Sequence, residues 1–165
     1  MELLILRHAI AFPRDAKRWP DDNDRPLTAE GMKRARRAAA GLKRLIGRPT
    51  LVLTSPLVRA RDTAAIFAQA SRWPKAIECD ALSPDASPEE VLEALRHHEK
   101  IDRAAVVGHQ PHLGRLLALC VRGPAQPDAF ELKKSGIACV KFEGTPRAGR
   151  GVLTWLLIPR LLREL

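Results

Sequence analysis

Short apolar runs without polar interruption alternate along this chain with stretches whose apolar residues recur every three or four positions, the rhythm of a layered α/β domain. Leu3 to Leu6 has no polar alternation, as a central strand covered on both faces requires. From Thr28, Met32, Ala35, Ala39, Leu42 and Ile46 follow helical spacing, with Thr28 able to cap and Glu30 in the positive first turn. Leu51 to Thr54 is a second buried-type strand, closed by Ser55-Pro56. There Ser55 can cap and Pro56 favours the first position of a helix carrying Leu57, Ala60, Ala64, Ile66, Phe67 and Ala68. Ser87-Pro88-Glu89-Glu90 is a capping box that opens a helix through Val91, Leu92 and Leu95. Ala104 to Val107 is a third central strand, ended by Gly108-His109, and Leu113, Leu116, Leu117 and Cys120 form an apolar helical stripe behind Pro111. Ile137 to Phe142 and Val152 to Ile158 read as two more strands joined by a Gly- and Pro-rich turn. With no crossing helix between them they should pair antiparallel, which makes the sheet mixed. Residues 9 to about 27, with Pro13, Pro20, Pro26 and the polar run Asp21 to Asp24, predict a long loop of the kind that often serves function.

At 165 residues the chain suits one domain, and 45% hydrophobic with 28% charged residues is globular composition. Lysine and arginine outnumber acids 28 to 19, a formal +9 that favours an anionic partner without naming it. Aromatics at 4%, with no tyrosine, leave few platforms for base stacking, so nucleic acid is not expected as a partner. Cys79, Cys120 and Cys139 are odd in number and show no Cys-x-x-Cys spacing, which suits a reducing cytoplasm rather than a disulfide framework or zinc knuckle. No leader peptide is expected from the short apolar run at the start, and no stretch approaches the roughly 20 apolar residues of a membrane span. The basic face Lys33, Arg34, Arg36, Arg37, Lys43 and Arg44 reads either as a solvated helix face or as a docking surface for an acidic partner.

Ligands of open α/β sheets sit outside the carboxyl ends of the strands. Here those ends carry Arg7-His8, Ser55-Pro56 leading to Arg59, and Gly108-His109. If the strands run parallel, two histidines and two arginines converge in a phosphate pocket. Guanidinium forks match phosphoryl oxygens without losing charge, and a neutral imidazole is a nucleophile toward phosphorus. Other residues carry weaker signals. His109 and His112 share helical spacing but lack a third ligand, so no metal is expected. His97 and His98 should be solvated, and Arg61 and Asp62 should form a local ion pair. Ser135 suits a turn or a pocket lining, and Arg14, Lys17, Arg18 and Trp19 suit a rim or a bare loop.

Leu6-Arg7-His8-Ala9, Arg25-Pro26-Leu27-Thr28, Ser55-Pro56-Leu57-Val58-Arg59-Ala60-Arg61-Asp62-Thr63 and Val107-Gly108-His109, in this order, resemble the histidine phosphatase superfamily. The short length is similar to its SixA-type phosphohistidine phosphatases. The resemblance implies a three-layer α/β/α fold with a mixed, mostly parallel sheet. It makes His8 the phosphate-accepting nucleophile, Arg7 and Arg59 phosphate ligands, His109 the residue completing the pocket, and Arg25 a further phosphate contact. Ala9 replaces the glycine usual after Arg-His; it restricts the backbone without filling the pocket, so activity should persist. Family members acting on esters place a carboxylic acid beside the pocket, and none is assignable here: Asp80 and Asp85 lie in the right region but match no motif. An absent acid points to a P–N substrate. The expected activity is therefore dephosphorylation of a phosphohistidine protein of a phosphorelay or phosphotransfer pathway, through a phosphohistidine on His8, by a cytoplasmic monomer without cofactor, metal, nucleic-acid or membrane partner. The alternatives are a phosphatase of a small phosphate ester or polyphosphate, and a catalytically weak phosphoprotein-binding module.

Overall fold

Leu3, Leu4, Ile5 and Leu6 are fully buried, and alternation sends Leu3 and Ile5 to one face of the sheet and Leu4 and Leu6 to the other. This is why the first strand, β1 (Glu2–Arg7), is apolar throughout its interior and carries charge only at its two ends. The structure is a computed structural model describing residues 1–98, 101–124 and 130–165. Along the chain follow α1 (Ala29–Leu45), β2 (Leu51–Thr54), α2 (Val58–Ser71), β3 (Ile77–Glu78), α3 (Pro88–Arg96), β4 (Arg103–Gly108), α4 (His112–Arg122), β5 (Ile137–Phe142), β6 (Gly151–Leu157) and α5 (Pro159–Glu164). The sheet order is β3-β2-β4-β1-β5-β6. β3, β2, β4 and β1 are parallel, and β5 and β6 are each antiparallel to the preceding neighbour, so the sheet is mixed as expected.

One face of the sheet packs on α3 and α4 through Val91, Leu92, Leu95, Leu113, Leu116 and Leu117. The other packs on α1, α2 and α5 through Ala38, Leu42, Ala60, Phe67 and Leu162. Each fully buried leucine or phenylalanine contributes about 1.5–3 kcal/mol relative to exposure, so these two layers hold the strand ends that bear the site. Thr28 caps α1, its hydroxyl accepting from the Gly31 amide. Two glycines let α1 approach closely. A Cβ at Gly31 would lie 2.1 Å from the Ile10 carbonyl oxygen, and one at Gly41 would lie 1.8 Å from that of Leu162. The first contact fastens α1 to the segment that leaves β1, beside the site.

Two elements were not anticipated from the sequence. β3 is two residues long, and α5 is six, too short for either periodicity to show. The loop of residues 9–27 is also more structured than its composition suggests. Ala11 bridges to Leu27, Asp22–Asp24 form a 3₁₀ turn, and the Arg18 guanidinium lies over Phe12 and Trp19, at 4.7 and 4.6 Å from the ring centroids.

Candidate active site

The register of the sheet assembles the site. Arg7 of β1 sits opposite Gly108 of β4, and Thr54 of β2 opposite Val107, so the residues following these positions emerge together. The His8 amide donates to the Gly108 carbonyl at 2.9 Å, and the Ser55 amide to Val107 at 2.9 Å. His8 and His109 therefore face each other, ring centroids 5.1 Å apart at 50°, with 7% and 3% of their surface exposed.

His8 Nδ1 lies 2.7 Å from the Ala9 carbonyl. A carbonyl only accepts, so Nδ1 carries the ring proton and Nε2 the lone pair. Burial pushes the His8 pKa down to about 3, against the Ala9 bond and with help from Arg59, Arg7 and Lys134. His109 is held near 2, again chiefly by burial and then by His8 and Arg59. Both rings are neutral at physiological pH, and the pocket's positive charge rests on arginine.

The guanidinium groups are anchored by protein acceptors. Arg7 Nη1 donates to the Leu132 carbonyl at 2.7 Å. Arg25 reaches Asp22 Oδ1 through Nε at 2.7 Å and the Phe12 carbonyl through Nη1 at 2.6 Å. Arg59, 4% exposed, donates through Nη1 to the Asp22 carbonyl at 2.8 Å and pairs through Nη2 with Asp22 Oδ2 at 3.2 Å. Arg7 Nε, Arg59 Nε and His109 Nδ1 are buried without a protein partner among the described residues. Guanidinium N–H groups of this kind, beside a neutral imidazole with its lone pair free, can receive a tetrahedral oxyanion and allow attack on its central atom.

The structure thus brings together Arg7, His8, Arg59 and His109, with Arg25 joined to Arg59 through Asp22. The sequence reading did not single out Asp22. One carboxylate holds both arginines, and the Arg25 bond, reinforced by the Arg59 and Arg25 charges, keeps its pKa below the ordinary carboxylate range. Its only sequence signal is membership of the polar run before Arg25. Thr63 was also unremarked: its hydroxyl accepts the Ala9 amide at 2.9 Å and donates to the Arg59 carbonyl at 2.7 Å, locking the end of β1 to α2. Ala9 is fully buried and is not among the residues with positive φ, so alanine meets no backbone penalty there.

Two expectations are corrected. Ser55 was read as a helix cap, but α2 begins at Val58 with no side-chain cap bond at Leu57; Ser55 Oγ instead lies 2.8 Å from His109 Nε2. Arg61 pairs with Glu78 at 3.2 Å rather than with Asp62, because adjacent residues on a helix point in different directions. Asp80 and Asp85 are exposed and hydrogen-bond to no pocket residue, so the structure brings neither into the site. Ser135 takes the turn role: buried, at φ 62°, its amide bonds the Arg7 and His8 carbonyls at 3.1 and 3.2 Å. It also lines a cavity that begins at Arg7. His112 is buried in α4, whereas His97 and His98 are exposed. Among the described residues, no three His, Cys, Asp or Glu side chains come together as metal ligands, and no helix is long and apolar enough to cross a membrane.

Residues 3–83 match the histidine phosphatase superfamily (branch 1). An uncharacterized protein of Picosynechococcus sp. is 38% identical over 139 residues, covering 83% of this chain and 82% of that protein. The phosphohistidine phosphatase SixA of Escherichia coli is 28% identical over 96% of this chain and 94% of its own length. Among solved structures, the protein histidine phosphatase SixA complexed with tungstate superposes with a TM-score of 0.84 at 29% identity, over 98% of this chain and 99% of that one. With these likenesses, the chain belongs to the histidine phosphatase superfamily and is of the SixA type.

Proposed function

We propose that the chain hydrolyses the P–N bond of a phosphohistidine carried by a protein of a phosphorelay or phosphotransfer pathway. In the first step His8 Nε2 attacks phosphorus, the new N–P bond forms, and the P–N bond to the substrate imidazole breaks, its electrons staying with the leaving nitrogen, which takes a proton from solvent. In the second step a water oxygen attacks the phosphorus on His8. The bonding pair returns to Nε2, and inorganic phosphate leaves with the water's oxygen and protons. Arg7, Arg59 and Arg25 neutralise the phosphoryl oxygens, and His109 completes the pocket by hydrogen bonding to them. Charge neutralisation by guanidinium gives the reaction a route without metal or cofactor.

The observation that carries the substrate class is the state of the pocket's carboxyl. Asp22 is bonded to Arg25 and Arg59 and held below its ordinary pKa, so at neutral pH it is ionised and has no proton to give. An alkoxide leaving group, whose conjugate acid has a pKa near that of water, about 15.7, needs such a proton from the enzyme; a phosphorylated imidazole can take its proton from solvent on the ring, whose ordinary pKa is about 6.5, and then leaves as neutral imidazole. The likeness to SixA, solved with tungstate, a tetrahedral oxyanion of phosphate's shape, supports the same reading. Cys79, Cys120 and Cys139 are free thiols, which suits a cytoplasmic reaction.

The test is a substrate panel. A histidine-phosphorylated protein should be turned over at least about 10²-fold faster than simple phosphate esters. Brief exposure to it should leave acid-labile, base-stable phosphate on the enzyme. His8→Ala should abolish that adduct and lower turnover about 10⁴-fold. Equal turnover of esters, with strong dependence on Asp80 or Asp22 as acid, would overturn the reading in favour of a small phosphate ester.

A further inference from the structure

Arg7 stands at the junction of the catalytic pocket with a second, open cavity of about 540 Å³. Five further cations line this cavity: Lys133 and Lys134 before β5, Arg34 on α1, and Arg160 and Arg163 on α5. Its lining includes one carboxylate, Glu131, bonded to Lys133 at 2.9 Å, while Arg34 pairs with Glu30 at 2.6 Å and Arg160 with Glu164 at 3.0 Å, both acids outside the lining. Lys134 joins the two sites electrostatically. Its positive charge acts on His8, and its own pKa is lowered by burial and by Arg7 and Arg25. Between the cations lie the apolar side chains of Ile10, Ile158 and Pro159, with Ile158 40% exposed.

We infer that this groove seats an acidic segment of the substrate protein, immediately beside its phosphohistidine. The inference rests on the proposed phosphohistidine activity and adds where, and by what chemistry, the protein portion is held. Two features favour a polypeptide over a nucleic acid. Among the described residues no aromatic side chain lines the groove to stack on a base, and its apolar residues match aliphatic side chains interspersed with carboxylates. Its position explains how one surface can serve both ends of the substrate: Arg7 meets the phosphoryl group while α5 and the 131–135 segment meet the flanking chain. The cations away from Arg7 would act mainly by steering and holding the partner, so their effect belongs in KM for protein substrates and depends on salt.

The experiment compares the wild type with Arg160→Glu/Arg163→Glu and, on a separate element, Lys133→Glu. Two substrates are used: a purified histidine phosphotransfer domain phosphorylated with phosphoramidate, and free phosphohistidine. Both variants should raise KM for the phosphorylated domain about 10-fold, with kcat and the turnover of free phosphohistidine changed less than about twofold. In the wild type, raising salt from about 0.05 to 0.5 M should raise KM for the domain alone. Unchanged KM in both variants, or equal losses on the two substrates, overturns the groove assignment. So does loss of binding to a fluorescent DNA oligonucleotide with KM for the domain unchanged, which would assign the groove to nucleic acid. A wild type that fails to dephosphorylate the domain overturns the proposed activity itself. A wild type that succeeds while the variants match it overturns the groove alone.

Discussion

Arg59 and Arg36 are both helix arginines on neighbouring helices, yet they live in different physical worlds. Arg59, near the start of α2, is 4% exposed, tied at two nitrogens to Asp22, and aimed into the crevice where β1, β2 and β4 end. Arg36, in the middle of α1, is exposed on a face shared with Lys33, Arg37, Lys43 and Arg44. The contrast shows that the net charge of +9 is two populations. A few guanidiniums are desolvated and fixed, where low dielectric makes each charge count in the chemistry, and the rest are in water, where each counts for less and acts on partners rather than on the reacting atoms.

The strongest way to test this division is to remove Arg59. Arg59→Ala should lower kcat/KM about 10²–10³-fold, and Arg59→Lys should recover little, since a point charge cannot reproduce the fork that holds Asp22 and phosphate together. Steady-state kinetics on a phosphorylated histidine protein decides it, and a loss below about fivefold would erase the distinction between the two regions.

The buried histidines sharpen the same contrast through stability. Burial lowers the pKa of His8 to about 3, of His109 to about 2, and of His112 below its usual value. Unfolded, each titrates near 6.5. Below that pH the unfolded chain binds protons that the folded chain refuses, so their contribution is intact above about 6.5 and is lost as pH falls, approaching about 1.4 kcal/mol per pH unit for His8 and for His109, with His112 acting in the same direction. Urea unfolding at pH 7, 6 and 5 should show this decline, and His112→Leu should make it shallower. A flat profile would mean the rings are not kept neutral by the fold.

Asp22→Asn is the next smaller change. It keeps the carbonyl that Arg59 Nη1 uses but removes the charge that aligns Arg25 and Arg59, and should reduce kcat/KM about 10-fold. An increase would mean that Asp22 competes with phosphate for the arginines rather than aligning them. Arg36→Ala, the smallest change, should leave kcat/KM within about twofold and stability within about 0.5 kcal/mol, by kinetics and thermal unfolding. A larger loss would move α1's outer face into the functional population.

The site was legible in the sequence to the extent that its chemistry is written in adjacent residues. Arg7-His8 and Gly108-His109 follow unbroken apolar strands, and Arg59 follows Ser55-Pro56, so strand ends and reactive side chains are read together. Asp22 was hidden because it sits among Asp21, Asn23 and Asp24, all of them ordinary turn residues. Only the 3₁₀ turn at Asp22–Asp24 decides which acid meets the arginines. Ser55 looked like a cap because sequence gives no view of His109, 54 residues away, which shares its hydroxyl. β3 and α5 escaped because two and six residues are too few for a period to emerge, with Pro159 at the first turn the one local hint of α5.

By itself, then, the sequence determined the longer strands and helices and which side chains could bind and attack a phosphoryl group, because hydrophobic periodicity and local motifs are properties of neighbouring residues. The tertiary structure alone decided the protonation and posture of those groups: the lone pair on His8 Nε2, the depressed pKa values of both rings, the carboxylate that yokes Arg25 to Arg59, and the cationic groove beside Arg7. Burial, dielectric and hydrogen-bond partnership arise from residues far apart in the chain, and only the packed sheet and its helices bring them together.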